Sequence, residues 1–252
     1  VLPRTVTLLA NSQITPWASG SLGFRVAPSL AEWESMVCQI DQGPEVECAT
    51  GTATGRMNYE ALPRGHHQLT VKIGKAGNRV AATAAWQIVS PDVVVYGATP
   101  GGVTAAISAA RAGRTVVLIE QSPWIGGMMT GGLAKTDVGG SKGEPLGGIT
   151  REFFERTRAR EVALGACTDE YPCPIFHDFE PRVAAEIFRA MLAEQPRVSL
   201  QTSLPVTGLN RQGVRIASVT TARGEIAGQV FVDASYEGDL MALAGVSHTT
   251  IR

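Results

Sequence analysis

The rhythm of hydrophobic and polar positions changes once along the chain. Up to about Ser90, apolar and polar residues alternate in short runs at 5–9, 22–26, 36–40, 67–73 and 81–89, parted by Gly, Pro, Asn and Ser. A strand with one buried face needs that alternation, and the spacing predicts a small antiparallel sandwich over residues 1–90. After the joint IVSPD at 88–92 the pattern differs. Residues 92–96 form a near-continuous apolar run, as a strand buried on both faces requires, and Val103, Ala106, Ile107 and Ala110 then recur at helical spacing. Gly113 is placed to close that helix, and 115–119 reads as a second buried strand. An α/β domain is therefore expected over 91–252. Within it, amphipathic helices are predicted at 149–164 and 181–194, with Glu180 and Pro181 at the start of the second. Short runs at 198–202, 205–209, 214–221 and 225–232, parted by turn residues, predict a strand followed by a β-meander, and 231–235 returns to the parallel sheet.

The turn between the first buried strand and its helix carries the candidate chemistry. Residues 93–103 read VVVYGATPGGV. Gly97 permits the sharp exit from the strand and Gly102 allows the helix to lie close to the sheet, so the outer glycines of a dinucleotide-binding turn are present. Thr99 takes the middle place, where a side chain turned aside still leaves N–H groups exposed. Pro100 suits the first turn of a helix, whose donors are unpaired anyway. Those N–H groups and the helix dipole favour an anion such as a pyrophosphate. Glu120 ends the second strand 23 residues after Gly97, where an acid would hold a ribose hydroxyl pair. The bland alternative is a plain structural turn. Next comes a stretch with nine glycines in the 23 residues from 126 to 148, interleaved with Met128, Met129, Leu133 and Val138. That density implies backbone packed against something flat and large, and a flexible linker is the competing reading.

Composition narrows the partners. With 22 Lys+Arg against 23 Asp+Glu among 252 residues the net charge is −1, and no basic run points to nucleic acid. The 44% hydrophobic content suffices for packed cores, and no run of 18 apolar residues suggests a membrane span. The four cysteines form two close pairs. Cys38 and Cys48 flank the turn residues 41–44 and are expected to be bonded, which stabilises the fold by roughly 3 kcal/mol on the loop-entropy model. A metal site is the weaker reading for this pair, because no His adjoins it. Cys167 and Cys173 are six apart and read either as a second disulfide or as two free thiols. An even count suggests an oxidising, extracytoplasmic compartment. His177 and Asp178 are adjacent in sequence, which alone defines no acid/base site.

Two resemblances follow from these motifs. MVCQIDQGPEVEC at 36–48, ALPRGHHQLTVKI at 61–73 and AATAAWQIV at 81–89 resemble the immunoglobulin-like modules of secreted bacterial proteins, with departures at Val37 and Gln42. Such modules act as spacers or carbohydrate-adjacent supports, with His66 and His67 as a loop-end pair. Residues 92–248 resemble the N-terminal part of the FAD-dependent oxidoreductases of glutathione-reductase type, secreted bacterial members above all. VVYGATPGGV at 94–103, GGMMTGGL at 126–133, FEPRVA at 179–184 and DASYEGDL at 233–240 carry that resemblance.

The resemblance implies a Rossmann-like FAD/NAD(P)-binding fold with an inserted meander and FAD as cofactor. Gly97, Thr99, Pro100, Gly101 and Gly102 would border the pyrophosphate, and Glu120 with Gln121 the adenosine ribose. Gly126, Gly127 and Met128 would follow the ribitol, and Gly131 and Gly132 would approach the flavin ring. The backbone of Val206 would touch adenine, and Ala234 and Ser235 would face the cofactor crevice. Asp233 and Asp239 read better as helix or turn caps than as flavin contacts. Flavoproteins of this type close the site with a later strand–helix segment and a substrate domain, so the resemblance implies that the chain stops short of both, with catalytic residues beyond 252. The expected activity is hydride transfer from a small-molecule or saccharide substrate to flavin. A nicotinamide-dependent dehydrogenase and a non-catalytic glycan-associated protein are the alternatives.

Overall fold

The computed structural model describes residues 5–9, 14–27, 35–50, 53–75, 77–133, 146–167, 173 and 179–249. The chain folds as two compact units, Val1–Ser90 and Pro91–Arg252.

The first unit is all β. Its strands are β1 (Thr5–Leu8), β2 (Ile14–Thr15), β3 (Gly20–Ala27), β4 (Ser35–Ile40), β5 (Val46–Thr50), β6 (Thr54–Tyr59), β7 (Gly65–Lys75) and β8 (Asn78–Ile88). They form a three-stranded sheet, β1-β3-β6, and a five-stranded sheet, β2-β8-β7-β4-β5. Alternate residues of both sheets meet in one core: Leu22, Phe24 and Val26 from β3 pack with Met36, Cys38, Leu69, Val71, Ile73 and Trp86. Every pairing is antiparallel except β2 with β8, which is parallel and departs from the all-antiparallel expectation. Strands β2 and β6 escaped the sequence reading, because β2 has two residues and β6 (TGRMNY) is mostly polar. Cys38 and Cys48 are bonded across β4 and β5.

His67, expected as a loop-end residue, is buried. Its Nδ1 meets Asp41 Oδ2 at 2.7 Å and its Nε2 meets the Pro63 carbonyl at 2.8 Å. Burial opposes its charge, but the bonds to Asp41 and Pro63 outweigh it and raise its pKa above 6.5; burial likewise opposes the Asp41 charge, and bonds from His67 and the Gln68 N–H lower its pKa below 3.8. A raised histidine stabilises below its unfolded pKa and loses that contribution as pH rises through the folded value. A lowered carboxylate stabilises above its unfolded pKa and loses its contribution as pH falls. The pair therefore contributes fully between pH 3.8 and 6.5. The sandwich is expected to melt at falling temperature as pH rises above that window. Fluorescence of Trp86, whose ring lies 5.4 Å from His67, follows the transition, and Asp41→Asn should flatten the slope.

The second unit is α/β. Its elements are β9 (Val93–Tyr96), α1 (Pro100–Arg111), β10 (Val116–Ile119), α2 (Gly127–Thr130), α3 (Gly148–Ala163), α4 (Pro181–Ala193), β11 (Val198–Gln201), β12 (Val206–Gln212), β13 (Arg215–Thr221), β14 (Gly224–Ala227), β15 (Val230–Asp233) and α5 (Asp239–Leu243). A four-stranded sheet runs β11-β10-β9-β15, with all neighbours parallel. The meander is β12-β13-β14, antiparallel throughout. The single run expected at 225–232 is two strands, broken at Gly228, where a Cβ would stand 2.7 Å from Val94 Cγ2. That close approach to β9 lets the chain leave the meander and rejoin the parallel sheet.

Helix α1 buries the four residues its pattern marked, together with Gly102. Gly113, at φ +81°, follows its C-cap. Helices α3 and α4 pack beside it around Phe153, Phe154, Phe179 and Phe188, with Phe153 stacked on Phe188 at 4.3 Å. Arg156 joins Glu152 and Glu194, and Arg111 grips Glu152 through both guanidinium nitrogens, so one charged network links the three helices. Glu161, on the buried side of α3, accepts the N–H of Glu180 at 2.8 Å and so serves the start of α4. Cys167 and Cys173 are bonded to each other. His177, Asp178 and the glycines at 139, 140 and 143 lie outside the described residues. Among the described residues no helix is long and apolar enough to cross a membrane.

Candidate functional site

A cavity of about 720 Å³ opens at the carboxyl ends of β9, β10 and β15. Parallel sheets offer ligands this position, because strand-to-helix turns cluster there. Its walls come from the β9–α1 turn (Tyr96, Gly97, Thr99), the end of β10 (Glu120, Gln121, Ser122, Trp124), the glycine pair and α2 (Gly127, Thr130, Gly131), and the segment after β15 (Ser235, Tyr236, Glu237, Asp239).

The first turn is built by close approach. Gly97 has φ +95°, and a Cβ there would lie 2.7 Å from the backbone of Ala234 and Ser235. At Gly102 a Cβ would fall 1.8 Å from the Gly97 carbonyl oxygen, so only glycine lets α1 start this near the strand end. The side chain of Thr99 is turned aside, and it has work there. Its hydroxyl accepts the N–H of Gly102 at 3.2 Å as the helix cap and donates to the Ala234 carbonyl at 2.8 Å. The N–H groups of Thr99 and Gly101 have no partner among the described residues, and Pro100 has no N–H to satisfy.

Glu120 lies across this turn. Its Oε2 accepts the Ala98 N–H at 2.7 Å and its Oε1 accepts the Ser122 N–H at 2.9 Å. Each carboxylate oxygen can take two hydrogen bonds, so one place on each stays available to a ligand hydroxyl. Burial holds the Tyr96 phenol pKa above its usual value, reinforced by the Asp239, Glu120 and Asp233 carboxylates and only partly offset by the Val206 N–H. Tyr96 therefore stays neutral. The described lining carries Glu120, Glu237 and Asp239 but no Lys or Arg, so an anionic ligand group meets no side-chain cation there and relies on neutral donors, the backbone N–H groups at the head of α1 and the α1 dipole among them.

The second turn follows the same logic. Gly126, at φ +88°, donates its N–H to the Ala98 carbonyl at 2.6 Å, and a Cβ there would meet Phe188 at 2.8 Å, so the aromatic core backs the turn directly. At Gly127 a Cβ would fall 2.1 Å from the Tyr236 hydroxyl. That hydroxyl accepts the Met128 N–H at 2.8 Å.

Of the residues singled out from sequence, Gly97, Thr99, Glu120, Gln121, Gly127, Gly131 and Ser235 line the cavity. Pro100 and Gly101 form the first turn of α1 beside it, and Gly102, Gly126 and Ala234 pack behind the wall. Met128 contributes its N–H to the Tyr236 contact while its side chain is exposed, and Gly132 follows Gly131 without lining the cavity. Val206 is buried at the start of β12, with its backbone N–H directed at Tyr96. Asp233 caps: its carboxylate accepts Ser235 N–H and hydroxyl and the Met241 N–H of α5, while Asp239 N–H donates to Ser235 Oγ. The sequence reading missed Tyr96, Ser122, Trp124, Thr130, Tyr236, Glu237 and Asp239 as walls of the cavity. Tyr236 was within reach of that reading, being the one aromatic residue in DASYEGDL.

The profile of the family described as FAD dependent oxidoreductase matches residues 92–252. A comparison with curated proteins found no match. Among solved structures, L-proline dehydrogenase from P. horikoshii is 17% identical with a TM-score of 0.44, covering 64% of this chain and 57% of its own. Glycine oxidase from Bacillus cereus is 14% identical with a TM-score of 0.40, covering 60% and 57%. The glycerol-3-phosphate dehydrogenase from Bacillus halodurans, complexed with FAD, is 13% identical with a TM-score of 0.43, covering 63% and 37%. The chain thus spans between 37% and 57% of the length of these three structures. The family match takes in well over half of the chain and every residue of the cavity wall, and on that ground the chain belongs to the family of FAD dependent oxidoreductases.

Proposed function

We propose that residues 91–252 are the FAD-binding domain of an oxidoreductase with a glutathione-reductase-type fold. When bound, the flavin supplies two-electron chemistry, accepting a hydride from a carbon of a small-molecule or saccharide substrate. The carrying observation is the pairing of partnerless Thr99 and Gly101 N–H groups, at the head of a 12-residue helix, with the Glu120 carboxylate across the same cavity. This donor and acceptor set suits a diphosphate joined to a ribose.

On this reading Gly97, Thr99, Pro100, Gly101 and Gly102 border the pyrophosphate, and Glu120 and Gln121 take the adenosine ribose. Gly126, Gly127 and Met128 lie along the ribitol, Gly131 and Gly132 near the flavin ring, and Ala234 and Ser235 at the crevice floor. Val206 contributes its backbone beside adenine. Residues 1–90 are proposed as an immunoglobulin-like spacer, a reading supported by two packed sheets of order β1-β3-β6 and β2-β8-β7-β4-β5, antiparallel in every pairing but β2 with β8. Two disulfides support an extracytoplasmic location.

Titrating the full-length protein with FAD tests the central claim. One equivalent is expected to bind, with quenching of flavin fluorescence and a yellow protein after gel filtration. Binding of NAD(P) with no binding of FAD would overturn it.

A further inference from the structure

Three consecutive residues after β15 touch both glycine turns. Ala234 accepts the Thr99 hydroxyl, and the Ala234–Ser235 peptide leaves no room for a side chain at Gly97. Tyr236 reaches the other way, its oxygen bonded to Met128 N–H at 2.8 Å and its ring covering Gly127. Ser235 is itself fixed, its hydroxyl donating to Asp233 at 2.6 Å and accepting from Asp239 N–H at 2.8 Å. The base from which Tyr236 projects is therefore rigid.

Burial does not account for this placement, since Tyr236 is 55% exposed. A tyrosine so open contributes little to a core, yet its hydroxyl takes the N–H of a turn 108 residues earlier in the chain. The direct bond from Gly126 N–H to Ala98 holds the near side of the second turn, whereas its far side, at Met128, is held by the phenol.

We propose that Tyr236 is a positioning residue: it fixes the Gly127-Met128 backbone at a set distance from the first glycine turn and so holds the cavity at the width FAD needs. The inference rests on the FAD-binding reading above. A turn ordered before binding costs less to order during it, so the contribution appears in affinity rather than in fold stability.

Tyr236→Phe keeps the ring and removes the bond. The free variant is expected to melt within about 2 °C of the unaltered protein, because one exposed hydrogen bond contributes little to global stability. Exchange of the Met128 amide proton, followed by NMR in the free protein, is expected to quicken about fivefold, and the FAD dissociation constant to rise about fivefold. Tyr236→Ala, which also uncovers Gly127, should raise that constant further. Unchanged Met128 exchange overturns the proposal, as does equal FAD affinity in the unaltered and Tyr236→Phe proteins. A large fall in melting temperature also overturns it by marking Tyr236 as structural. Absence of FAD binding by the unaltered protein sinks the cofactor reading and this inference with it, and so separates the two failures.

Discussion

Gly102→Ala is expected to abolish FAD retention and to destabilise residues 91–252 by about 3 kcal/mol, the upper end of the usual cost of overpacking. The added methyl would stand 1.8 Å from the Gly97 carbonyl oxygen, 3.0 Å from its carbon and 3.1 Å from the Ala234 Cβ. The turn cannot yield. Gly97 already packs so closely on the Ala234–Ser235 backbone that even a Cβ there would stand only 2.7 Å from it, so the turn has little room to retreat toward β15, and α1 must lift from the sheet instead. Lifting it loosens the packing of Val103, Ala106, Ile107 and Ala110 and stretches the Thr99 bond to Ala234. The neighbouring Gly101 supplies the control. A Cβ there meets only Thr99 Oγ1, at an ordinary 3.6 Å, and alanine favours the helix by up to about 1 kcal/mol over glycine. Gly101→Ala should therefore be neutral or mildly stabilising in urea denaturation. If the two variants unfold at the same midpoint, close backbone approach is not what Gly102 provides.

The same contrast shows what was legible in the sequence. Strand β9, helix α1 and strand β10 were readable because a doubly buried strand and an amphipathic helix impose periods of their own, and Gly113 marked the helix end through its backbone freedom alone. The glycines of the first turn were readable for the same local reason. Glu237 and Asp239 were not legible as walls of the cavity, because that role comes from where β15 ends beside β9, a pairing made across more than 130 residues that no local period encodes. Glu161 illustrates the difficulty from another side. In a helix rich in charge nothing in the sequence sets it apart, and only the packing of α4 against α3 turns it inward to serve the N–H of Glu180. Likewise the dual bonding of Thr99 needs the position of Ala234, although its side chain could be read as turned aside. The break at Gly228 was hidden because residues on both sides of it favour strands, and what forces the break is contact with Val94.

Glu120→Ala is expected to weaken FAD binding about thirtyfold, the equivalent of about 2 kcal/mol for a hydrogen bond to a charged group. The carboxylate has two tasks in one place. It closes the end of β10 by accepting N–H groups from Ala98 and Ser122, and its remaining lone pairs face the cavity, where the ribose hydroxyls are proposed to sit. Alanine removes both. Glutamine separates them only in part, because its single carbonyl oxygen can serve one of the two N–H groups while its NH2 confronts the other as a second donor. Glu120→Gln should therefore lose nearly as much affinity as Glu120→Ala, although it keeps the size of the side chain. FMN provides the decisive comparison, since it carries the flavin, ribitol and one phosphate but no adenosine. If Glu120 holds the adenosine ribose, the substitution lowers affinity for FAD much more than it lowers the weaker binding of FMN, as competition titrations would show. Equal losses for both ligands would mean that Glu120 acts by shaping the turn around Ala98, and the ribose assignment would be withdrawn.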